Sequence, residues 1–96
     1  MAKENILERE IHTTEELQAV INEETGRNDI IVDAYSLIDD PHTHPATGER
    51  YSLWGARAQV TIGSRIWPID KDNSYLTIAE ASNAVVAYIE TICAKN

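Results

Sequence analysis

The fold of this chain is decided by residues 51–69, YSLWGARAQVTIGSRIWPI. Between Trp54 and Ile62 an apolar side chain occupies every second position, and the intervening residues are small or polar. This period of two predicts a strand with one buried face. The dipeptide at residues 63–64, Gly-Ser, follows at once, and a glycine in first position is typical of a type II′ hairpin turn. The stretch therefore predicts an antiparallel hairpin.

The turn also fixes the register of the strand that follows it. The predicted cross-strand pairs are Ile62 with Arg65, Val60 with Trp67, and Ala58 with Ile69. Pro68 has no amide hydrogen, which predicts that this strand lies at the edge of the sheet or ends there. The polar residues 70–74 that come next predict a turn.

An earlier strand is predicted at residues 29–38, DIIVDAYSLI, because this stretch is rich in β-branched and aromatic residues. Strict alternation divides its side chains between two faces. One face carries Ile30, Val32, Ala34, Ser36 and Ile38, and the other carries Ile31, Asp33, Tyr35 and Leu37. Both faces are largely apolar.

Helices are predicted at residues 14–25 and 77–93. Each begins with the pattern of a capping box, a threonine with a glutamate three residues later. The two pairs are Thr13 with Glu16 and Thr77 with Glu80. Apolar residues recur at helical spacing through both segments, and Gly26 is typical of the residue that follows a helix.

The predicted order is α-β-β-β-α, which places the chain in the α+β class. The simplest architecture is a two-layer sandwich, a three-stranded antiparallel meander with both helices on one face. Ninety-six residues allow one core. We therefore expect an N-terminal arm at residues 1–12 and a single α+β domain at residues 13–96.

The formal net charge of −8 comes entirely from the front half of the chain. Residues 1–40 contain 11 of the 16 acidic residues and only three basic ones. An acidic surface repels phosphate backbones, so direct nucleic-acid binding is not expected. The same surface attracts basic proteins, including proteins that themselves bind nucleic acid. The alternative interpretation of the acidity is that it keeps the protein soluble.

The expected location is the cytoplasm. The first residues, Met1-Ala2-Lys3-Glu4, lack the apolar core of a secretion signal, and no stretch has the length and apolar character of a membrane span. The single cysteine, Cys93, cannot form an internal disulfide bond, which suits a reducing compartment.

Residues 39–50 predict a long connection between the first two strands, and they contain Asp40, His42 and His44. Imidazole nitrogen and carboxylate oxygen are ligands that zinc accepts, so this loop is a candidate metal or small-ligand site. The competing interpretation is a solvated loop shaped by its prolines and glycine. No cofactor is predicted, and the serines and Cys93 lie in no nucleophile motif, so no catalytic residue is proposed.

The most informative surface is the face of the sheet that the helices leave open, because contiguous exposed apolar patches usually mark interfaces. We expect it to act with the acidic first helix in binding a partner protein that has a basic surface. The candidate residues are Glu15, Glu16, Glu23, Glu24, Asp33, Tyr35, Leu37, Tyr51, Leu53 and Arg57. The sequence thus favours a non-enzymatic interaction protein, an inhibitor or adaptor. A homodimer or larger architectural oligomer, formed through the same face, is another possibility. A further alternative is that Ile6, Leu7 and Ile11 of the N-terminal arm cover this face within the same chain.

Overall fold

The computed structural model describes residues 9–95, and for Lys95 it describes the backbone alone. The elements are α1 (Thr14–Thr25), β1 (Ile30–Thr43), β2 (Arg50–Ile62), β3 (Arg65–Tyr75) and α2 (Ile78–Lys95). The strands form one antiparallel sheet in the order β1-β2-β3. The predicted α-β-β-β-α meander of the α+β class is confirmed.

The first helix begins and ends as its sequence dictates. The hydroxyl of Thr13 accepts a hydrogen bond from the amide of Glu16, and the Glu16 carboxylate accepts from the Thr13 amide. Gly26 ends the helix in the left-handed conformation, at φ 66°, where its amide donates to Asn22. The predicted range of 14–25 is confirmed, and Leu17, Val20 and Ile21 point into the core.

The β2–β3 hairpin has the predicted register. Val60 pairs with Trp67 and Ala58 with Ile69, and Gly63 supplies the positive φ that the turn needs. Pro68 lies on an edge strand, as expected. The turn predicted at residues 70–74 is wrong, because β3 continues to Tyr75.

The face assignment predicted for β1 is wrong beyond Val32. A bulge at Asp33 adds one residue between Val32 and Ala34, so every later side chain is moved to the opposite face. Tyr35 is therefore in the core, only 8% exposed, and Leu37 packs against the core at its margin. Ala34 and Ser36 are exposed in their place.

The twelve-residue loop predicted at residues 39–50 is also wrong. β1 and β2 stay paired as far as Thr43 and Arg50, and only residues 44–49 form the connecting turn. The pairing of β3 with β2 ends opposite Trp54. The segment from Asp40 to Leu53 is thus a two-stranded projection beyond the third strand, and we call it the ribbon.

Both helices pack on one face of the sheet, and their buried side chains join those of the strands in one apolar cluster. Ile11 belongs to this cluster and is 1% exposed, so the end of the predicted N-terminal arm is part of the domain core. The rest of that arm, residues 1–8, lies outside the described residues. Within residues 9–95, no helix has the length and apolar character needed to cross a membrane.

A close approach of β3 to β2 requires glycine at position 55. A Cβ there would lie 2.7 Å from the carbonyl oxygen of Lys71 and 3.1 Å from the amide nitrogen of Asn73. The Asn73 side chain donates hydrogen bonds to the carbonyls of Ile38 and Leu53, at 2.8 and 3.2 Å. This asparagine therefore fastens all three strands together where the ribbon begins.

Candidate functional site

The sheet face opposite the helices is built from three cross-strand rows, which we call the outer face. Register defines them as Ile31–Thr61–Ile66, Ala34–Gln59–Pro68 and Ser36–Arg57–Asp70. Each row takes one residue from each strand, and neighbouring rows are about 7 Å apart along the strands. Since both helices lie on the other face, the helix layer does not cover these rows.

One end of the outer face is apolar. Ile31 and Ile66 are 55% and 62% exposed, although the core of this small protein buries most of its other isoleucines. They flank Thr61, whose hydroxyl donates a 2.6 Å hydrogen bond to the carboxylate of Asp33. The bulge residue Asp33 therefore adds a carboxylate beside the apolar row.

The middle of the outer face is charged. The Arg57 side chain lies 3.6 Å from the Asp70 carboxylate, and both side chains are mostly exposed. An exposed pair at this distance contributes little stability, so both groups remain open to an incoming partner. A shallow depression of about 220 Å³ lies next to Arg57, above the small residues Ala34 and Ser36.

The structure places the predicted interface residues of the sheet in three different environments. Arg57 and Asp33 are exposed on or beside the outer face, as expected. Tyr51 is 40% exposed and Leu53 is half-buried, and both lie on the ribbon. Tyr35 and Leu37 are turned to the core side, and they leave the candidate surface for that reason.

Sequence reasoning missed four members of the outer face, Ala34 and Ser36 on β1 and Pro68 and Asp70 on β3. Pro68 could have been found by extending the period of two from Ile66 along β3. Ala34 could not have been found in this way, because the bulge at Asp33 leaves no mark in an alternation pattern.

The four candidate glutamates lie in the helix layer, on the opposite side of the molecule from the outer face. Glu16 is engaged in the helix cap, and hydrogen bonds from the His12 amide and then the Thr13 amide hold its pKa below the usual value. Glu23 forms a 3.2 Å ion pair with Arg9. Glu15 is exposed and Glu24 is half-buried. One flat partner surface cannot contact both regions at once.

The candidate metal ligands are engaged with other groups on the ribbon. The His42 ring lies 3.0 Å from the Asp40 carboxylate and stacks on Tyr51, with ring centres 5.5 Å apart. The Nδ1 atom of His44 accepts a hydrogen bond from the amide of Ala46. Within residues 9–95, no three or more His, Cys, Asp or Glu side chains are grouped to hold a metal ion.

Two further depressions lie near the start of α2. One, of about 370 Å³, has Tyr51 and Leu76 in its wall, and the other, of about 430 Å³, has Glu80 and Asn83. The Glu80 carboxylate already accepts from the Leu76 amide, and the Asn83 amide already donates to the Ala79 carbonyl. The Glu80 and Asn83 side chains in the second depression are therefore already bonded to backbone groups near the start of α2.

No family model, no curated protein sequence and no solved structure matches this chain. Function is therefore inferred from the chemistry of its own surfaces.

Proposed function

We propose that this chain is a small, acidic, non-enzymatic protein–protein interaction module that docks on its partner through the outer face. The observation that carries the proposal is the row in which Ile31 and Ile66, both more than half exposed, lie on either side of Thr61. Side chains exposed to this extent add little to folding, since about 25 cal/mol is gained per Å² of apolar surface removed from water. Contact with a partner would bury them.

The proposed partner has a basic surface. The chain has a formal net charge of −8, and such a field speeds the approach of a positively charged protein. A nucleic-acid-binding protein has a surface of this kind. Covering that surface would make the chain an inhibitor, and bridging it to another protein would make it an adaptor.

The contacts of the described nucleophiles and bases support a non-enzymatic role. Rings of His12 and His42 lie against Glu10 and Asp40, and His44 accepts from a backbone amide. The buried hydroxyl of Ser82 bonds to the backbone of Ile11 and to Tyr35. The Ser82 contacts join the segment before α1 to β1 and α2, whereas the three histidines contact exposed groups two residues away in the sequence. Cys93 is a free thiol, in keeping with the proposed cytoplasmic location.

Affinity capture from host extract, with three versions of the full chain as bait, tests the proposal. The versions are the unchanged chain, Ile66→Ser and Leu76→Ser. Leu76 is the matched control, because it is 67% exposed but lies outside the outer face. We expect a partner that the unchanged chain and Leu76→Ser retain and that Ile66→Ser loses, and that elutes as salt is raised. A partner retained equally by all three baits would refute the proposal.

A further inference from the structure

We propose that the occupant of the outer face is an amphipathic helix of a partner protein, with an apolar stripe bordered by lysine or arginine. This inference rests on the proposed function and specifies the partner for the same surface. It depends on three features of the outer face: the spacing of its apolar side chains, the position of its carboxylates, and its mismatch with a second copy of itself.

The spacing of the apolar side chains suits a helix. Ile31 lies on β1 and Ile66 on β3, so the two edge strands that carry them are separated by two strand spacings, about 10 Å. That is also the approximate diameter of an α-helix with its side chains. A helix lying along β2 would therefore contact Ile31 on one side and Ile66 on the other. The small residues Ala34 and Ser36 leave room for its side chains in the next two rows.

The carboxylates stand where the flanks of such a helix would pass. Asp33 lies on β1 beside the isoleucine row, and Asp70 lies on β3 at the charged row. A lysine or arginine next to the apolar stripe of a bound helix can extend its stem along the sheet and reach either carboxylate. Arg57, in the central strand, lies near Asp70. No other basic residue belongs to the three rows, so none of their side chains forms an ion pair with Asp33.

A second copy of this chain fits the outer face poorly, because a symmetric dimer presents the same rows on both sides of a two-fold axis. An axis parallel to β2 stacks Ile31 on Ile66 of the other copy, but it also stacks Arg57 on its own equivalent. An axis across the strands sets the isoleucine row against the row that contains Arg57 and Asp70. Each chain also contributes a net charge of −8, which opposes association.

The test uses the full chain labelled with ¹⁵N and three synthetic peptides of about 18 residues, long enough to form a helix. The first has a leucine stripe bordered by lysines, the second has the same composition in scrambled order, and the third has glutamates in place of the lysines. We expect the lysine–leucine helix to shift the amide signals of Ile31, Thr61 and Ile66 most. The scrambled and glutamate peptides should bind at least about tenfold more weakly.

Substitutions locate the contact. Ile31→Ser combined with Ile66→Ser should weaken binding of the lysine–leucine peptide about tenfold, whereas Leu76→Ser should change it less than about twofold. Asp33→Asn combined with Asp70→Asn should weaken binding and reduce its salt dependence, whereas Glu15→Gln, on α1, should not. All of these positions are exposed, so the variants should fold.

Four results would overturn the inference. If the amide signals that shift most lie on α1 or α2, the peptide binds the helix layer. If the scrambled peptide binds equally well, the partner need not be an amphipathic helix. If the glutamate peptide binds equally well, basic residues beside the apolar stripe are not needed for binding. A doubled mass in solution that Ile31→Ser with Ile66→Ser abolishes would make a second copy the occupant. The proposed function fails separately, if the bait variants above retain the same proteins.

Discussion

The hydroxyl of Tyr35 donates a 2.6 Å hydrogen bond to the backbone carbonyl of Ile11, 24 residues earlier in the chain. The hydroxyl of Ser82, on α2, lies 3.1 Å from the same tyrosine oxygen and accepts a hydrogen bond from the Ile11 amide. Both backbone groups of Ile11 are thus satisfied inside the core. The contact joins the segment before α1 to β1 and α2, and burial raises the pKa of Tyr35.

Tyr35→Phe should lower the free energy of unfolding by about 1 to 2 kcal/mol, because the buried Ile11 carbonyl loses its short hydrogen bond. Urea denaturation followed by tryptophan fluorescence measures the change. Tyr51→Phe is the matched control, since Tyr51 is 40% exposed on the ribbon, and it should cost less than about 0.5 kcal/mol. Equal costs for the two variants would contradict the assigned role of Tyr35.

The same residue shows where sequence reasoning reached its limit. The capping residues, the Gly63 turn and the alternation in β2 are local signals, and each predicted its element correctly. The bulge at Asp33 arises from pairing with β2, so β1 alone does not reveal it. One extra residue moved Tyr35 from the predicted outer face into the core.

The polar content of the longer strands misled the prediction in a different way. Residues 70–74 are charged or polar and residues 39–43 are so apart from Pro41, which is typical of turns, yet both segments are strands. Both segments lie in edge strands, where one side of the strand faces solvent, so polar side chains are tolerated there. Ile31 and Arg57 were placed correctly, because they lie outside the stretch that the bulge shifts.

Gly55→Ala should destabilise the protein by about 2 to 3 kcal/mol, because its Cβ would overlap the Lys71 carbonyl at 2.7 Å and push β3 away. Gly48→Ala is the control: that glycine has φ +76°, and a Cβ added there would meet nothing within 4 Å, so backbone strain alone should cost about 1 kcal/mol. Urea denaturation compares the two. A Gly55→Ala variant no less stable than Gly48→Ala would show that β3 can move away from β2 at little cost in stability.

The Glu16 cap should make stability depend on pH under acidic conditions. Its pKa is lowered in the folded state by the amides of His12 and Thr13, from an ordinary value of 4.5. The carboxylate therefore stabilises the fold fully above about pH 4.5, and this contribution is lost as the pH falls through the lower folded-state pKa. Urea denaturation at several pH values from 7 to 2 should show the free energy of unfolding of the unchanged chain approaching that of Glu16→Gln as the pH falls. Glu15→Gln, which alters the same turn and leaves the cap intact, should cost less at pH 7.

The ribbon should be removable without unfolding the domain. Along β1 and β2 the buried apolar side chains stop at Tyr35 and resume at Ala56, so residues 41–52 add none to the core. Replacing residues 41–52 with Asn-Gly would let the pair Asp40–Leu53 close a two-residue turn. The deleted residues include one acid and one base, so the net charge stays at −8.

We expect the shortened chain to keep its free energy of unfolding within about 1 kcal/mol, because a shorter connection offsets the lost exposed contacts. Urea denaturation and the amide spectrum of the outer face measure this. A loss above about 3 kcal/mol would make the ribbon part of the cooperative core. Since charge and outer face are unchanged, the shortened chain should also bind the lysine–leucine peptide as the full chain does. A weaker complex would show that the partner contacts the ribbon as well.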